Sequence, residues 1–368
     1  MRKNNKTVVV AMSGGLDSSM AVKVLQKQGY RVIGMYMYLG FQDDKAREAV
    51  ENVSKSLGID FKVVDISQAF KKEVIDYFVE SYRAGLTPNP CVKCNKVIKF
   101  GELLKQAESL GADYLATGHY LQKKYHKNNL INIYYKFLNK VFKVKFDQKL
   151  FTSKDNLKDQ TYFLYNFNQK KLRKIIFPVG KFKKTTLRKK ANKLKLPYLK
   201  SESQDICFLS GDHNIFLRQH LPNNPGEIRN LKGETIGKHQ GLYFYTIGQR
   251  RGIDIGGSGP YYVVRLDFEN NILYVADKWD HHLLYKKTLE AREVNWLASK
   301  KPNYPLHCQA VIRYGHRAVN CRVLVDEENK GKVDKVKVEF EKEQRAITPG
   351  QSIVFYKNQE LLGGGIIE

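Results

Sequence analysis

The stretch from Thr7 to Leu25, TVVVAMSGGLDSSMAVKVL, constrains the fold more than any other part of the chain. A β-branched run, Val8 to Val10, gives way to Ser13-Gly14-Gly15-Leu16-Asp17-Ser18-Ser19, and apolar residues return at helical spacing as Met20, Ala21, Val24 and Leu25. This is the pattern of a strand, a tight turn and a helix. Gly14 and Gly15 allow the backbone to bend and to approach a ligand closely. Ser18 and Ser19 stand where capping residues are expected, so the N–H groups at the helix start should form a phosphate-binding nest.

The same alternation continues. Arg31 to Tyr38 and Phe61 to Asp65 read as strands, separated by a helix with Ala46, Val50, Val53 and Leu57 on one face and an end near Gly58. Phe70, Val74, Tyr77 and Phe78 mark another helix, Phe100, Leu103, Leu104 and Ala107 a further one, and Asp113 to Ala116 a strand. Strands alternating with helices predict an α/β domain with a doubly wound parallel sheet, its ligand outside the carboxyl ends of the strands. Thr117-Gly118-His119 follows such an end and is expected to form the second wall of a nucleotide site. The loop lacks the terminal Gly-Lys-Ser/Thr of a Walker loop and the third glycine of a dinucleotide fingerprint. It resembles the pyrophosphate loop of the N-type ATP pyrophosphatases, which cleave ATP to AMP and pyrophosphate while adenylating a substrate oxygen. That resemblance implies that Asp17 helps to hold Mg2+ on the leaving pyrophosphate, since a hard cation takes carboxylate and phosphate oxygens.

Lys and Arg outnumber Asp and Glu by 63 to 37, a formal net charge of +26. Lys-rich compositional drift accounts for part of this; a polyanionic partner, nucleic acid, accounts for the rest. The basic helix expected from Thr185 to Leu194 fits phosphate-backbone contacts, although such runs are usually solvated faces. Leu121 to Leu150 alternates on both sides of Leu138-Asn139-Lys140 and reads as a basic hairpin, or equally as a solvated insertion. No apolar run approaches the ~20 residues that cross a bilayer, and Met1-Arg2-Lys3 leads straight into the first strand. The expectation is a cytoplasmic protein with no membrane partner.

Beyond Pro222 the text changes to glycines, prolines and short alternating strands. Tyr261 to Leu266 and Ile272 to Ala276 straddle Asn270-Asn271 as a hairpin, and strands follow at Ala310 to Tyr314, Val319 to Val325, Lys335 to Phe340 and Ser352 to Tyr356. Regular short strands predict an all-β module, a small barrel. Cys308 and Cys321 sit in apolar strand patterns and read as small core residues. His281 and His282 read as solvated loop, Gly363 to Gly365 as a close backbone turn.

The five cysteines, Cys91, Cys94, Cys207, Cys308 and Cys321, form an odd set that argues against a disulfide framework. Thr87-Pro88-Asn89-Pro90-Cys91-Val92-Lys93-Cys94-Asn95 places a C-x-x-C just before a helix, with lysines near; this predicts a lowered thiol pKa. One C-x-x-C cannot supply the four ligands of a structural zinc site. Cys207, in Ser203-Gln204-Asp205-Ile206-Cys207-Phe208, is available to the same face if the fold brings it back.

S-G-G-L-D-S at Ser13 to Ser18, T-P-N-P-C-V-K-C-N at Thr87 to Asn95, A-T-G-H-Y at Ala116 to Tyr120 and K-D-Q-T-Y-F-L-Y at Lys158 to Tyr165 come first. S-Q-D-I-C-F at Ser203 to Phe208, Y-T-I-G-Q-R-R-G at Tyr245 to Gly252, T-P-G-Q at Thr348 to Gln351 and L-G-G-G-I-I at Leu362 to Ile367 follow in that order. Together these strings resemble the tRNA-specific 2-thiouridylase family over nearly the whole chain. The resemblance implies a catalytic N-type ATP pyrophosphatase domain over residues 1–209, a small central β domain over 210–280 and a C-terminal, tRNA-binding β-barrel over 281–368. It implies ATP contacts at Ala11, Met12, Ser13, Gly14, Gly15, Leu16, Asp17, Ser18, Met37 and Gly118. Without it Met37 would read as core. It implies that Asn89, Pro90 and Cys91 line the target-base pocket, and that His119, Lys158, Asp159, Gln160, Arg313, Tyr314 and Gln351 meet tRNA at its anticodon loop.

The implied chemistry is adenylation of uridine O2 at the wobble position, then attack by a Cys207 persulfide, with Cys94 freeing the product by disulfide formation or by assisting release of hydrogen sulfide. Adenylation turns a poor leaving group into AMP. Cys91 stands where many members of the family carry Asp, so any role of that carboxylate does not transfer. With this third thiol, Cys91, Cys94 and Cys207 form a possible ligand set for an iron-sulfur cluster, a second route to the same product. The sulfur donor, a relay protein or a cysteine desulfurase, is not written in the sequence. Another ATP-cleaving ligase of amidotransferase type explains the loop but not the cysteines, and a non-catalytic RNA-binding or cluster-carrier protein leaves the loop idle.

Overall fold

The computed structural model describes residues 5–42, 44–126, 129–142, 146–199, 206–209, 211–253, 255–256, 259–325 and 334–368. Met1-Arg2-Lys3 and Ser203 to Asp205 therefore lie outside the described residues. Strands β1 (Thr7–Met12), β2 (Arg31–Tyr38), β3 (Asp60–Asp65) and β4 (Tyr114–Ala116) come first; β5 (Leu121–Lys124) and β6 (Lys149–Thr152) follow, then β7 (Ile175–Ile176). The first sheet has the order β3-β2-β1-β4-β7, and all its pairings are parallel. Alternation along β1 explains why it is central. Val8, Val10 and Met12 pack with helices α1 (Leu16–Lys27) and α2 (Asp44–Leu57) on one face, while Val9 packs with Phe70, Ile98, Phe100 and Leu103 on the other. Both faces are dry, as a parallel sheet requires. The strand order reverses at β1, so the crevice between the carboxyl ends of β1 and β4 is the expected ligand position.

The central unit carries β8 (Gly226–Arg229), β9 (Thr235–His239), β10 (Tyr262–Asp267) and β11 (Ile272–Ala276) in the order β10-β11-β8-β9. The hairpin at Asn270-Asn271 forms as its residues predict, with Asn271 at φ +54 in the left-handed region. The core of this unit is shared with the first domain. Phe78, Val79 and Tyr82 pack with Leu217, Ile228, Phe244 and Val263.

The C-terminal unit is built from β12 (Tyr285–Trp296), β13 (Leu306–Val311), β14 (Val319–Leu324), β15 (Val336–Arg345), β16 (Ser352–Lys357) and β17 (Glu360–Ile367). The order β12-β15-β14-β13-β16-β17, with β17 returning to β12, closes a six-stranded barrel and leaves few open edges. Two sequence expectations need correction here. Gly363 to Gly365 are interior to β17 rather than a turn: a Cβ at Gly363 would lie 2.2 Å from the Asn295 carbonyl oxygen, and one at Gly364 would lie 2.7 Å from the Tyr165 ring. Close approach of backbones, not chain reversal, selects them. Residues 121–150 are also not a simple hairpin. β5 and β6 do pair, and β6 extends the barrel sheet through β17, but the middle of the segment is a helix, Asn129–Phe142. Its apolar residues recur at helical as well as alternating spacing, and the short strands outside it are set by the edge of β17.

Candidate active site

The loop at Ser13 to Ser18 runs from β1 into α1 at the switch point. Gly14, at φ +76, would carry a Cβ 3.1 Å from Ala49 Cβ, so the turn is closed to larger residues. Gly15 is the N-cap of α1 and provides no side-chain cap. Ser18 and Ser19 are not caps, as the sequence suggests; they lie in the first turn, and both hydroxyls donate back to the Gly15 carbonyl at 3.2 and 2.9 Å. Ser13 N–H is held by Ser18 Oγ at 3.3 Å. The result still fits an anion, because a helix start without a side-chain cap keeps N–H groups for a ligand. Gly118 backs this loop: a Cβ there would lie 2.9 Å from both Asp17 C and Ser18 N. Met37 lies half-buried near the end of β2, its carbonyl accepting from Gln42 Nε2 at 3.0 Å, and Ala11 packs in the adjoining core. Met12 and Leu16 are buried in the core between β1 and the helices that follow it.

Asp17 is oriented by two residues that sequence reasoning missed. Tyr120 donates its hydroxyl to Asp17 Oδ1 at 2.5 Å, and Lys184 Nζ stands 3.6 Å from Oδ2. Lys184 opens the basic helix Lys184–Lys193, whose first turn points at the loop, and its side chain is only 15% exposed. The Y of A-T-G-H-Y was a visible signal for the first; nothing local distinguishes Lys184 from the lysines around it. A partly exposed carboxylate between a cation and a hydroxyl fits a magnesium phosphate complex, with Asp17 supplying the hard oxygen.

The second half of the site is the helix Pro90–Cys94, continued by a π-helical stretch, Asn95–Glu102. Asn89 caps it by accepting from Val92 N–H at 3.3 Å, and Pro90 occupies the first turn, where its missing N–H costs nothing. The preceding loop is held by all three units. Thr87 N–H donates to the Pro349 carbonyl at 2.9 Å, Gln351 Nε2 donates to the Thr87 carbonyl at 3.0 Å, and Thr87 Oγ1 meets Thr246 Oγ1 at 3.0 Å. Gln351, expected at tRNA, is thus a clamp on the cysteine loop. Asp159 and Gln160 also turn inward. Asp159 accepts from Ser153 N–H at 2.6 Å and from Thr161, and Gln160 Oε1 accepts from Tyr120 N–H at 2.9 Å. Burial raises the Asp159 carboxyl against those hydrogen bonds. Lys158 lies half-buried in the short turn Asn156–Lys158, whereas Arg313 and Tyr314 are exposed. Tyr314 lies over Phe163 with ring centroids 4.5 Å apart, and the Phe163 carbonyl accepts from Asn95 Nδ2, so an exposed tyrosine is linked through Phe163 to the end of the cysteine helix.

Cys207 returns to this face. Its neighbour Phe208 wedges between Phe70, Phe78 and Phe216, with centroids 5.8, 5.4 and 5.4 Å away. Leu199 N–H donates to the Gly14 carbonyl at 2.9 Å. Cys94 is buried, Cys91 half-buried and Cys207 exposed. The three thiols bear on one another: burial raises the Cys94 thiol to about 12, Lys99 works to lower it, and Cys207 and Cys91 raise it further. Although Cys207 reaches solvent, desolvation by the protein packed around it raises its thiol too, opposed by Lys99. The lowered thiol pKa expected from the helix start is therefore reversed for Cys94, because desolvation outweighs the cation and the helix. Burial pushes His119 well below the usual imidazole range, so it is neutral; its Nδ1 meets Thr117 Oγ1 at 2.8 Å and its ring lies 5.7 Å from Phe100. Among the described residues no three His, Cys, Asp or Glu side chains are placed to hold a metal ion, and these include Cys91, Cys94 and Cys207. In this arrangement Cys91, Cys94 and Cys207 are not placed as a shared ligand set. No helix among the described residues is long and apolar enough to cross a membrane.

The chain matches the family described as "tRNA methyl transferase HUP domain" over residues 6–211, then "tRNA methyl transferase PRC-barrel domain" over 214–277 and "Aminomethyltransferase beta-barrel domain" over 286–367. It is 40% identical over 372 residues to a protein of Geobacillus thermodenitrificans named tRNA-specific 2-thiouridylase MnmA, covering 98% of this chain and 94% of that one. Proteins of the same name from Listeria monocytogenes and Francisella tularensis are 41% and 38% identical; the first match covers 100% of this chain and 96% of the relative, the second 99% of each. Similarity over the full length and in all three units shows that the chain belongs to the family of tRNA-specific 2-thiouridylases.

Proposed function

We propose that this protein converts the wobble uridine of tRNA to 2-thiouridine, with ATP activating uridine O2 and sulfur delivered from Cys207. The observation that carries this reading is that Cys207 comes close enough to bear on Cys94 in a chain whose β1–α1 turn forms a phosphate-binding loop. ATP lies along Ser13 to Ser18 with Gly118 and Met37 forming the walls. Asp17 would hold Mg2+, which would supply positive charge for the leaving pyrophosphate. The helix α1 start and Lys184 bind the same charge from the protein side.

O2 of the uridine attacks the α-phosphorus, and pyrophosphate leaves. The terminal sulfur of a Cys207 persulfide then forms a bond to C2, and AMP departs with the electron pair of the C2–O bond. Cys94 loses its proton and attacks Cys207 Sγ; the Cys94–Cys207 disulfide forms, and 2-thiouridine leaves with the electrons of the broken S–S bond. A thiol reductant restores the pair, and a sulfur-relay protein or cysteine desulfurase reloads it. The target base must leave its stack, which costs a few kcal/mol and least in a single-stranded loop. Asn89, Pro90 and Cys91 line the approach, Tyr314 offers a ring for stacking, and Arg313 and Lys158 supply charge for the phosphates. The expected location is the cytoplasm.

Mass spectrometry of the wobble uridine, in cells lacking the protein and rescued by the wild type or by Cys207→Ser, tests the assignment. Wild type should restore 2-thiouridine and the serine variant should not; restoration by serine overturns Cys207 as the carrier. Pyrophosphate release that does not depend on tRNA would overturn the substrate.

A further inference from the structure

The Asp17 carboxylate meets Tyr120 and Lys184, and both of these are tied to one turn. Tyr120 donates its hydroxyl to Asp17 Oδ1 at 2.5 Å, and Lys184 Nζ stands 3.6 Å from Oδ2. Tyr120 is 3% exposed and exchanges two hydrogen bonds with Gln160: its N–H donates to Gln160 Oε1 at 2.9 Å, and its carbonyl accepts from Gln160 N–H at 3.0 Å. Lys184 is fixed from the other end of the same turn, its N–H donating to Asp155 Oδ2 at 2.8 Å. Residues 153–160 therefore set the surroundings of both Asp17 oxygens.

The turn is closed on its inner side and open on its outer one. Asp159 accepts from Ser153 N–H at 2.6 Å, Ser153 Oγ donates to the Asp155 carbonyl at 2.6 Å, and Lys158 N–H donates to that carbonyl at 3.0 Å. Polar networks satisfied in this way are rigid, so a push on one part is felt across the turn. On the outer side Lys154 and Asn156 are exposed, and Leu157 is 90% exposed. The turn also reaches the barrel, where the exposed Tyr314, next to the exposed Arg313, donates its hydroxyl to the Asp159 carbonyl at 3.3 Å. Asp17 has a second arrangement within reach. Its 3.6 Å separation from Lys184 exceeds the roughly 2.7–2.9 Å of a charge-assisted hydrogen bond. A carboxylate released by Tyr120 can close on that ammonium, and its oxygens are then less available to a hard cation.

We propose that the turn at residues 153–160 couples the two ligands of the site: RNA resting on its outer side holds Tyr120, a positioning residue, against Asp17, so that tRNA and the magnesium nucleotide each bind more tightly when the other is present. The identity of both ligands rests on the thiolation reading above. Equilibrium dialysis with α,β-methylene ATP, which cannot release pyrophosphate, measures the coupling without turnover. With Mg2+ present, unmodified tRNA should tighten the analogue about tenfold in the wild type, and the analogue should tighten tRNA by the same factor. In EDTA the effect should vanish. Tyr120→Phe, which removes one oxygen from a buried ring, should reduce the factor to below about twofold; Gln160→Leu should do the same, with no further loss in the double variant. Gln160→Glu, which keeps the accepting oxygen, should retain the coupling. If the Phe variant melts early, the two Gln160 variants carry the comparison. Full coupling in Tyr120→Phe overturns the proposal, as does wild-type coupling that persists in EDTA. tRNA that binds and leaves the analogue unchanged overturns the coupling alone; tRNA that does not bind the wild type overturns the thiolation reading as well.

Discussion

The molecule holds two pairs of cysteines in contrasting surroundings, one inside the barrel and one that the proposed mechanism uses. Cys308 and Cys321 face each other across β13 and β14 with Sγ atoms 3.7 Å apart, both buried in the barrel core among Ala310, Val323 and Phe340. Cys94 and Cys207 come from segments more than a hundred residues apart, one buried and one exposed, and the charge of Lys99 acts to lower both thiols. The neighbouring thiol raises Cys321 steeply and no cation acts on it. Proximity of two thiols therefore does not make a reactive pair. Access to solvent and a cation's influence separate the two.

The largest expected difference is in turnover. Cys207→Ser should lower 2-thiouridine formation by at least about 10³-fold, while Cys308→Val and Cys321→Val stay within about twofold, measured as modified nucleoside per tRNA. Equal losses would erase the distinction. Next comes reagent access: in the native protein Cys207 should alkylate about 10²-fold faster than either barrel cysteine, and the barrel pair should react only at the rate of unfolding.

The third contrast is with pH. The Cys94 thiol is raised in the folded state to about 12, so between the unfolded value of about 8.5 and that limit the unfolded chain carries fewer protons. The stability from keeping this thiol buried is complete below about pH 8.5 and should fall by about 1 kcal/mol per pH unit above it. Urea unfolding of wild type and Cys94→Ala between pH 8 and 10.5 reads this as a difference in slope; parallel slopes would refute it. The smallest effects concern packing. Cys321→Ala should cost about 1 kcal/mol of barrel stability, Cys207→Ala close to none, and Gln351→Ala about 1 kcal/mol through the lost clamp on Thr87. Thermal melts check all three.

Much of the first domain was legible because its signals are local. β1, the Gly14-Gly15 turn and α1 follow from hydrophobic period and glycine placement, and β2, β3 and β4 from short apolar runs between helices. What failed had local signals that compete. Residues 129–142 satisfy both a strand and a helix period, and the glycine run at 363–365 looks like a turn until its neighbours are seen. Ser18 and Ser19 have the chemistry of caps but fall one turn too late. Within the site, the loop and the cysteines stood out, whereas Lys184 and Lys99 were hidden among 63 basic residues.

By itself the sequence determined where the chain turns, which stretches alternate, and which residue types can cradle phosphate or carry sulfur, because these depend on neighbours along the chain. Tertiary structure alone decided which side chains meet. It placed Lys184 and Tyr120 on Asp17, joined three units on Thr87, and turned Asp159 inward. It also set the charge state of the thiols, since burial depends on atoms distant in sequence and at Cys94 outweighs everything the local helix offers.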